Sequence, residues 1–524
     1  MMYTVELLID TTKYDHRELA NRFFALEHVH NVCVSHTKKL INSLKTNKKY
    51  QNALTEYIKL NESKPNTKSD KEKKQKRKKE LSDIMNQIKY EIGLTKTGLE
   101  SYMKVCGSQF SKMLASSQVQ KEVDNVWNGV QKVLFSTGKT IHYKKVRDFN
   151  TLPSKSLKNG IKFDKNTYTI EYLGLNLKCK ISKYNLEDVY LFESLENKIS
   201  YCEIKRRMFN NGWHYYALIY VKGEPPKRNI TSKGSTMGMD PSISTVAGYS
   251  ETKTVLNELA PKCKNYNRKI AKIQKKMEYS KRITNPKKYN EDGTIKKRSK
   301  DKWVYSKRYC MLRNKLKNLY RQKSEYTTHS HRTQVNEIVK DSLFFIIEDM
   351  NFNALKKKEK KKLVETKDCS NEQNVNNKKE TNTTFENNDK QIKSNNNKNR
   401  CKRFGKTIND RSPARFLKLL EEKVKQMEGK IVYVNPITYK GSQYNHDTDT
   451  YVKIPLNQRE KIIDGQKVQR DLYSAFLYHN ADISFKHVDR DKCIAEFDNF
   501  IKLQNELIAD MKAKKISYKN CFGF

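Results

Sequence analysis

TMGMDPSISTVAGYS, residues 236–250, and SLFFIIEDMNFNAL, residues 342–355, decide the fold. Each opens as an apolar, β-like run that ends in a carboxylate: Asp240 in the first, Glu348 followed by Asp349 in the second. Such runs predict buried strands. An acid at the end of a buried strand is mounted rigidly at the edge of the core. Two of them on neighbouring strands can hold Mg²⁺, which takes oxygen ligands. A third acid, Asp471, falls in the first turn of a helix predicted within VQRDLYSAFLYHNADIS, residues 468–484, with Tyr473, Phe476 and Leu477 on or near its buried face. Two strand ends and a helix start converging on one point make an RNase H-like metal site. There, two Mg²⁺ ions clamp a scissile phosphate, one helping to generate hydroxide and the other stabilising the leaving oxygen. The competing reading is that Glu348 or Asp349 is a cap and Asp471 an ordinary first-turn acid favoured by the helix dipole.

The charge balance favours a phosphodiester substrate. The 524 residues contain 105 Lys and Arg against 59 Asp and Glu, a net charge of +46. That excess predicts a nucleic-acid partner; a ribosomal or membrane-surface protein is the alternative. No apolar run approaches the ~20 residues that span a bilayer, so no membrane partner is expected. The start, MMYTVELLIDTTKYDH, lacks the basic-then-apolar pattern of a signal peptide. A cytoplasmic protein associated with the nucleoid through DNA is expected. Ten cysteines are present and no two form a CxxC pair. Most read as reduced thiols, with a zinc knuckle built from distant cysteines and histidines as the alternative.

Along the chain the pattern changes several times. A strand at Tyr3–Ile9 precedes a helical region from about Arg17 to Leu134, whose residues 60–80 read as an exposed basic connector. Short runs rich in Tyr, Ile, Val and Leu between Ile141 and about Val221 predict antiparallel strands in a small barrel or curved sheet, with the Tyr3 strand as a missing member. STVAGYS and the following ETKTVL predict a hairpin-like return. A basic helical pair follows over Lys264–Val339, interrupted at Thr284–Asp301, with Ile270, Ile273, Met277, Met311, Leu312, Leu316 and Leu319 as its periodic apolar positions. Its charged faces read either as solvated or as lying along a nucleic-acid groove. Asn supplies 11 of residues 371–400, so this stretch cannot bury enough apolar surface to fold alone and predicts disorder.

Taken together, these motifs resemble the transposon-encoded TnpB (OrfB) proteins and the related miniature type V CRISPR (Cas12-like) effectors. Gly238-Met239-Asp240 is similar to their first RuvC motif, Glu348 in IIEDMN to the second, and Arg470-Asp471 with Ser474-Ala475 to the third. LEEKVKQMEGKIVYVNPITYKGSQ (420–443) and GKTIHYKKVRDFNTLPSKS (138–156) resemble further family segments. The resemblance implies a multidomain α+β chain with an RNase H-like RuvC nuclease domain, an upstream wedge β-barrel and an inserted helical recognition domain. Residues 1–16 would give the first wedge strand, 17–134 the recognition domain, 135–225 the barrel and 226–235 a linker. RuvC would occupy 236–355 with its long basic helices, 403–436 and 467–500, interrupted by the Lys/Asn-rich insert 356–402. The ribbon-like target-loading segment would be 437–466, and a tail 501–524.

The implied activity is Mg²⁺-dependent cleavage of double-stranded DNA directed by a guide RNA, with Asp240, Glu348 and Asp471 as catalytic metal ligands and recognition of a short target-adjacent motif. A monomer is favoured, with a homodimer as the alternative. Two departures stand out. Pro241 follows the first acid where relatives commonly have Gly nearby. The segment GSQYNHDTDTYVKIPLNQREKIIDG (441–465) has no cysteine where relatives usually carry a four-cysteine zinc ribbon. His446, Asp447 and Asp449 are a weak ligand set, and no zinc is expected. The alternatives are a nuclease-inactive guided repressor and an RNA-independent RNase H-like transposase.

Overall fold

The computed structural model describes residues 2–63, 67–135, 138–157, 159–181, 189–226, 231–296, 301–356, 404–455, 457–514 and 516. The disorder expected over 356–402 therefore falls, apart from Lys356, outside the described residues. The chain forms two compact units, Met1–Asn229 with Lys276–Arg321, and Ile230–Lys275 with Gln322–Phe524.

In the first unit, β1 (Met2–Ile9) buries Val5, Leu7 and Ile9 on one face, the period of two expected of a half-covered strand. Its partners come from far along the chain. β2 (Thr151–Leu152), β3 (Lys162–Asp164), β4 (Thr169–Tyr172), β5 (Leu175–Lys180), β6 (Ile199–Phe209) and β7 (Gly212–Lys222) form with it an antiparallel sheet in the order β2-β6-β7-β1-β5-β4-β3. The pairings describe a curled sheet with two edges rather than the closed ring of a barrel. Among the described residues, edge strand β3 approaches β6 without pairing to it.

Between β1 and β2 the chain is helical: α1 (Lys13–Thr46), α2 (Lys48–Glu62), α3 (Lys68–Glu91), α4 (Lys96–Ser108) and α5 (Ser116–Phe135). α1 starts before Arg17 because Thr12 and Asp15 form a reciprocal capping box. Its apolar stripe runs through Leu19, Phe23, Leu26, Cys33, Ile41 and Leu44. The exposed connector expected at 60–80 is corrected: most of that stretch belongs to α3. Lys, Glu and Gln are good helix formers, Thr67 caps the start, and Leu81, Met85 and Ile88 are buried. Arg77 forks onto Glu56 of α2 at 2.7 and 3.0 Å.

The second unit is built on β8 (Ser235–Pro241), β9 (Thr245–Ser250), β10 (Lys253–Glu258), β11 (Ser342–Glu348) and β12 (Lys430–Val434). The order is β10-β9-β8-β11-β12; the first three run antiparallel, and β11 and β12 run parallel to β8. Parallel neighbours need long crossovers, supplied after β10 by α6 (Cys263–Thr284) and α7 (Lys307–Val339), and before β12 by α8 (Pro413–Gln426). Of the periodic positions expected on α6 and α7, Ile270, Met277 and Leu312 are buried, whereas Met311 is exposed and Asn318 takes a buried place. The chain closes with α9 (Arg470–His479) and α10 (Arg490–Ala513). α10 continues through residues 501–513 of the expected tail, because Gln504 and Met511 extend the buried stripe begun by Cys493, Phe497 and Phe500.

Both faces of this sheet are covered, so β8 is buried from Met237 to Pro241. Alternation sorts its side chains. Met237, Met239, Phe345 and Ile347 join one core with Val335, Ile338, Phe416 and Leu420. Gly238 lies against α9 on the other face, and Ile346 of that face joins Tyr439 and Tyr478. Residues two apart share a face, so Asp240 and Glu348 emerge on the α9 side.

Candidate active site

Gly238 sets the distance between β8 and α9. A Cβ at this position would stand 2.1 Å from Ala475 O and 2.2 Å from His479 N, inside any permitted contact. The bare Cα lets the helix lie directly on the strand, so that Asp471, at the start of α9, comes to the Asp240 end of β8. Gln469 caps that start, its side chain accepting from Leu472 N at 2.6 Å. Asp471 is buried, and the whole run from Asp471 to Tyr478 is buried with it, more than the single apolar face expected.

Asp240, Glu348 and Asp471 converge. Asp240 and Glu348 share a side-chain hydrogen bond, and Asp471 lies close enough to both to act on their titration. Burial first, and then the Glu348 and Asp471 charges, push Asp240 well above the usual carboxylate range, while Arg470 pulls weakly the other way. Glu348 is also raised, by burial, with Asp471 adding to the rise and the hydrogen bonds from Asp240 and Tyr478 opposing it. A pair of this kind shares one proton in the absence of a cation. Arg470 donates to Asp471 Oδ1 from Nε and Nη2 at 3.3 and 3.2 Å. Asp471 Oδ2 is buried without a hydrogen-bond donor among the described residues, and Arg459 Nη1 stands 3.7 Å away.

This donor set fits a hard divalent cation. It is made of carboxylate oxygens, two of them carry unfavourable charge together, and one further oxygen is buried without a donor. Asp349 is different: it is exposed, lies beyond the end of β11, and its backbone N–H donates to Val434 O at 2.9 Å.

A fourth buried acid shows what a purely structural carboxylate looks like in the same sheet. Asp341 precedes β11, at the end opposite Glu348. It accepts from Ser250 Oγ at 2.7 Å, Thr252 Oγ1 at 2.8 Å and Ser342 Oγ at 3.1 Å. Burial would raise it, but those hydroxyls and the Lys233 charge hold it below the usual range. Both carboxylate oxygens of Asp341 accept from hydroxyls, whereas Asp240 and Glu348 face one another.

The residues Asp341, Tyr478 and Arg459 were not singled out from the sequence. Tyr478 had a signal, being seven residues after Asp471 and so on the same helix face; Asp341 and Arg459 had none. In the 437–466 segment, His446 is a core residue. Its Nδ1 lies 2.8 Å from Tyr473 Oη, its ring meets Phe497 edge-on at 4.7 Å, and burial lowers its pKa. Asp449 accepts from Tyr444 Oη at 2.9 Å. All seven described cysteines are free thiols, and burial pushes Cys33 and Cys179 up to about 12.

No protein-family model and no curated protein matches the chain. Among solved structures it is similar to a Cas12f1–sgRNA–target DNA complex at 11% identity and a TM-score of 0.42, over 92% of this chain and 99% of that one. It is also similar to a CRISPR-Cas12f ternary complex at 12% identity and a TM-score of 0.21, over 89% and 85%. At these scores the functional reading is carried by the residues of the site. No described helix is long and apolar enough to cross a membrane.

Proposed function

We propose that this chain is an RNA-guided, Mg²⁺-dependent DNA endonuclease with one RuvC-type site, of the TnpB and miniature type V kind. The observation that carries the reading is the meeting of Asp240, Glu348 and Asp471 at one end of a β10-β9-β8-β11-β12 sheet, three strands antiparallel and two parallel, the RNase H-like arrangement. The catalytic triad of acids is thus drawn from two strand ends and a helix start. Guide RNA and target DNA as partners rest on the motif resemblance and on the charge of +46.

When bound, Mg²⁺ supplies Lewis acidity to the scissile phosphate and lowers the pKa of the attacking water. The residues of the chain prepare for it. Asp240 and Glu348 give up their shared proton and present oxygens from fixed strand ends. Tyr478 orients Glu348 through its hydrogen bond, and Arg470 fixes the rotamer of Asp471. Burial keeps bulk water from screening these charges.

The test is to purify the full chain from its native locus, sequence the RNA bound to it, then redirect that RNA to a chosen duplex and assay cutting with Mg²⁺. Cleavage that follows the new guide is expected. Guided binding without cutting would leave a repressor, and cutting that ignores RNA would favour the transposase reading.

A further inference from the structure

α9 has a second set of ligand-type side chains at its other end. His479, the last residue of the helix, lies with Glu251 of the β9–β10 turn and Glu496 of α10, and one ligand atom from each falls within 4.8 Å of the others. His479 Nε2 stands 3.4 Å from Glu496 Oε2 and 4.0 Å from Glu251 Oε1. The imidazole is 6% exposed. Its Nδ1 has no hydrogen-bond partner among the described residues, while Nε2 faces the acids with its proton toward Glu496, the proton that a bound ion would displace. Glu496 Oε2 is buried, with His479 Nε2 and Asn480 as its polar neighbours. Tyr249 meets the imidazole edge-on at 5.1 Å and holds it in place.

We infer that Glu251, His479 and Glu496 form a second metal site, separate from the carboxylates near Asp240, that takes Zn²⁺. Two ligands each about 2.1 Å from a tetrahedral ion lie about 3.4 Å apart, which is the His479–Glu496 separation, and the exposed Glu251, now 4.0 Å from Nε2, would turn inward to complete the set. One imidazole and two carboxylates leave a fourth position for water. The imidazole favours Zn²⁺ over Mg²⁺, which prefers oxygen alone. Eight residues separate Asp471 from His479, so the two sites lie about 12 Å apart along the helix. The ion would fasten α10 and the β9–β10 turn to the helix that carries Asp471. The expectation that no zinc is bound rested on the cysteine-free segment 437–466, and this site lies outside it.

The experiment uses the full-length, RNA-bound protein, stripped with a chelator and exchanged into metal-free buffer. Zn²⁺, Co²⁺ and Mg²⁺ are then added separately, with elemental analysis, Co²⁺ absorption spectra and thermal melts as readouts. A parent carrying Asp240→Asn, Glu348→Gln and Asp471→Asn keeps the ion from the other carboxylates. One Zn²⁺ per chain is expected in that parent, with a raised Tm and a Co²⁺ spectrum lacking the near-ultraviolet thiolate band. Glu251→Gln and Glu496→Gln should each weaken Zn²⁺ binding by at least about 100-fold, because losing a ligand costs no less than losing the outer-shell partner of one, while the metal-free Tm stays close to the parent's. Both conservative variants keep His479 and its packing, so loss of binding would not be a folding failure. Substoichiometric zinc, zinc held equally by both variants, or a thiolate band would each overturn the site.

Discussion

Asp240 and Asp341 are both buried in the same sheet, and their surroundings drive them in opposite directions. Because the folded chain binds the Asp240 proton more tightly than the unfolded chain does, its contribution to metal-free stability is full below the ordinary carboxylate range. That contribution is lost as pH rises through the elevated folded value. Asp240→Asn removes the charge and offers Glu348 an amide donor. It should abolish cutting yet raise the Tm of the chelated protein at neutral pH by a few degrees, as read by calorimetry; an unchanged or lower Tm would show that burial does not strain this acid. Asp341 has the reverse sign. Its stabilisation is present above the ordinary carboxylate range and fades as pH falls through its depressed value. Asp341→Ala, which takes a shared acceptor from three hydroxyls, should cost about 3 kcal/mol in denaturant melts and leave the cleavage rate of the folded fraction within twofold. The acids Asp240, Glu348 and Asp471 were legible in the sequence because each ends or begins an apolar run. Asp341 was not, since a polar residue before a strand is unremarkable until its hydroxyl partners, drawn from β9 and the following turn, are brought beside it.

The contact between β8 and α9 depends on Gly238 having no side chain. Gly238→Ala should push the helix away from the strand, separating Asp471 from Asp240. A loss of cutting with destabilisation of roughly 1–3 kcal/mol is the expected outcome, as for other overpacked interiors. Retained activity would mean that the helix can slide without disturbing the acids. On β11 the alternation makes a sharper comparison: Glu348→Gln should eliminate cleavage, and Asp349→Ala should keep most of it, because adjacent strand residues face opposite ways and Asp349 is exposed. Strand-borne features were the most legible, since a period of two in β1 and the apolar runs of β8 and β11 can be read directly from the chain. Helix α3 was misread as a connector because its first half has no apolar stripe: propensity, the Thr67 cap and the Arg77–Glu56 fork support it before Leu81, Met85 and Ile88 reach the core. α10 was cut short for a related reason: Gln504, a polar residue, fills a buried place by donating to Lys467 O and accepting from Gln469 N.

With 105 basic residues, binding of RNA should be dominated by release of counterions. Raising salt from about 50 to 200 mM should weaken guide binding by roughly 10³-fold or more if six or more phosphates are engaged, measured by filter binding. A flat salt response would remove nucleic acid as the partner. Some of that charge is already committed inside the first unit. Arg206 is wedged between Phe23 at 3.8 Å and Trp213 at 4.4 Å, and Lys317 donates to Arg147 O and Asn150 Oδ1. Burial brings Lys317 down to about 8, so a count of lysines in the sequence overstates the groups offered to phosphate. The order of the acids along the chain has a further consequence, during synthesis. Every residue of the first unit has been joined to the chain once Arg321 is made, whereas Asp471 follows 150 residues later. At about 5–20 residues per second, that is an interval of roughly 8–30 s. A nascent chain in this window has every residue of the first unit and lacks Asp471, so the three acids cannot yet come together.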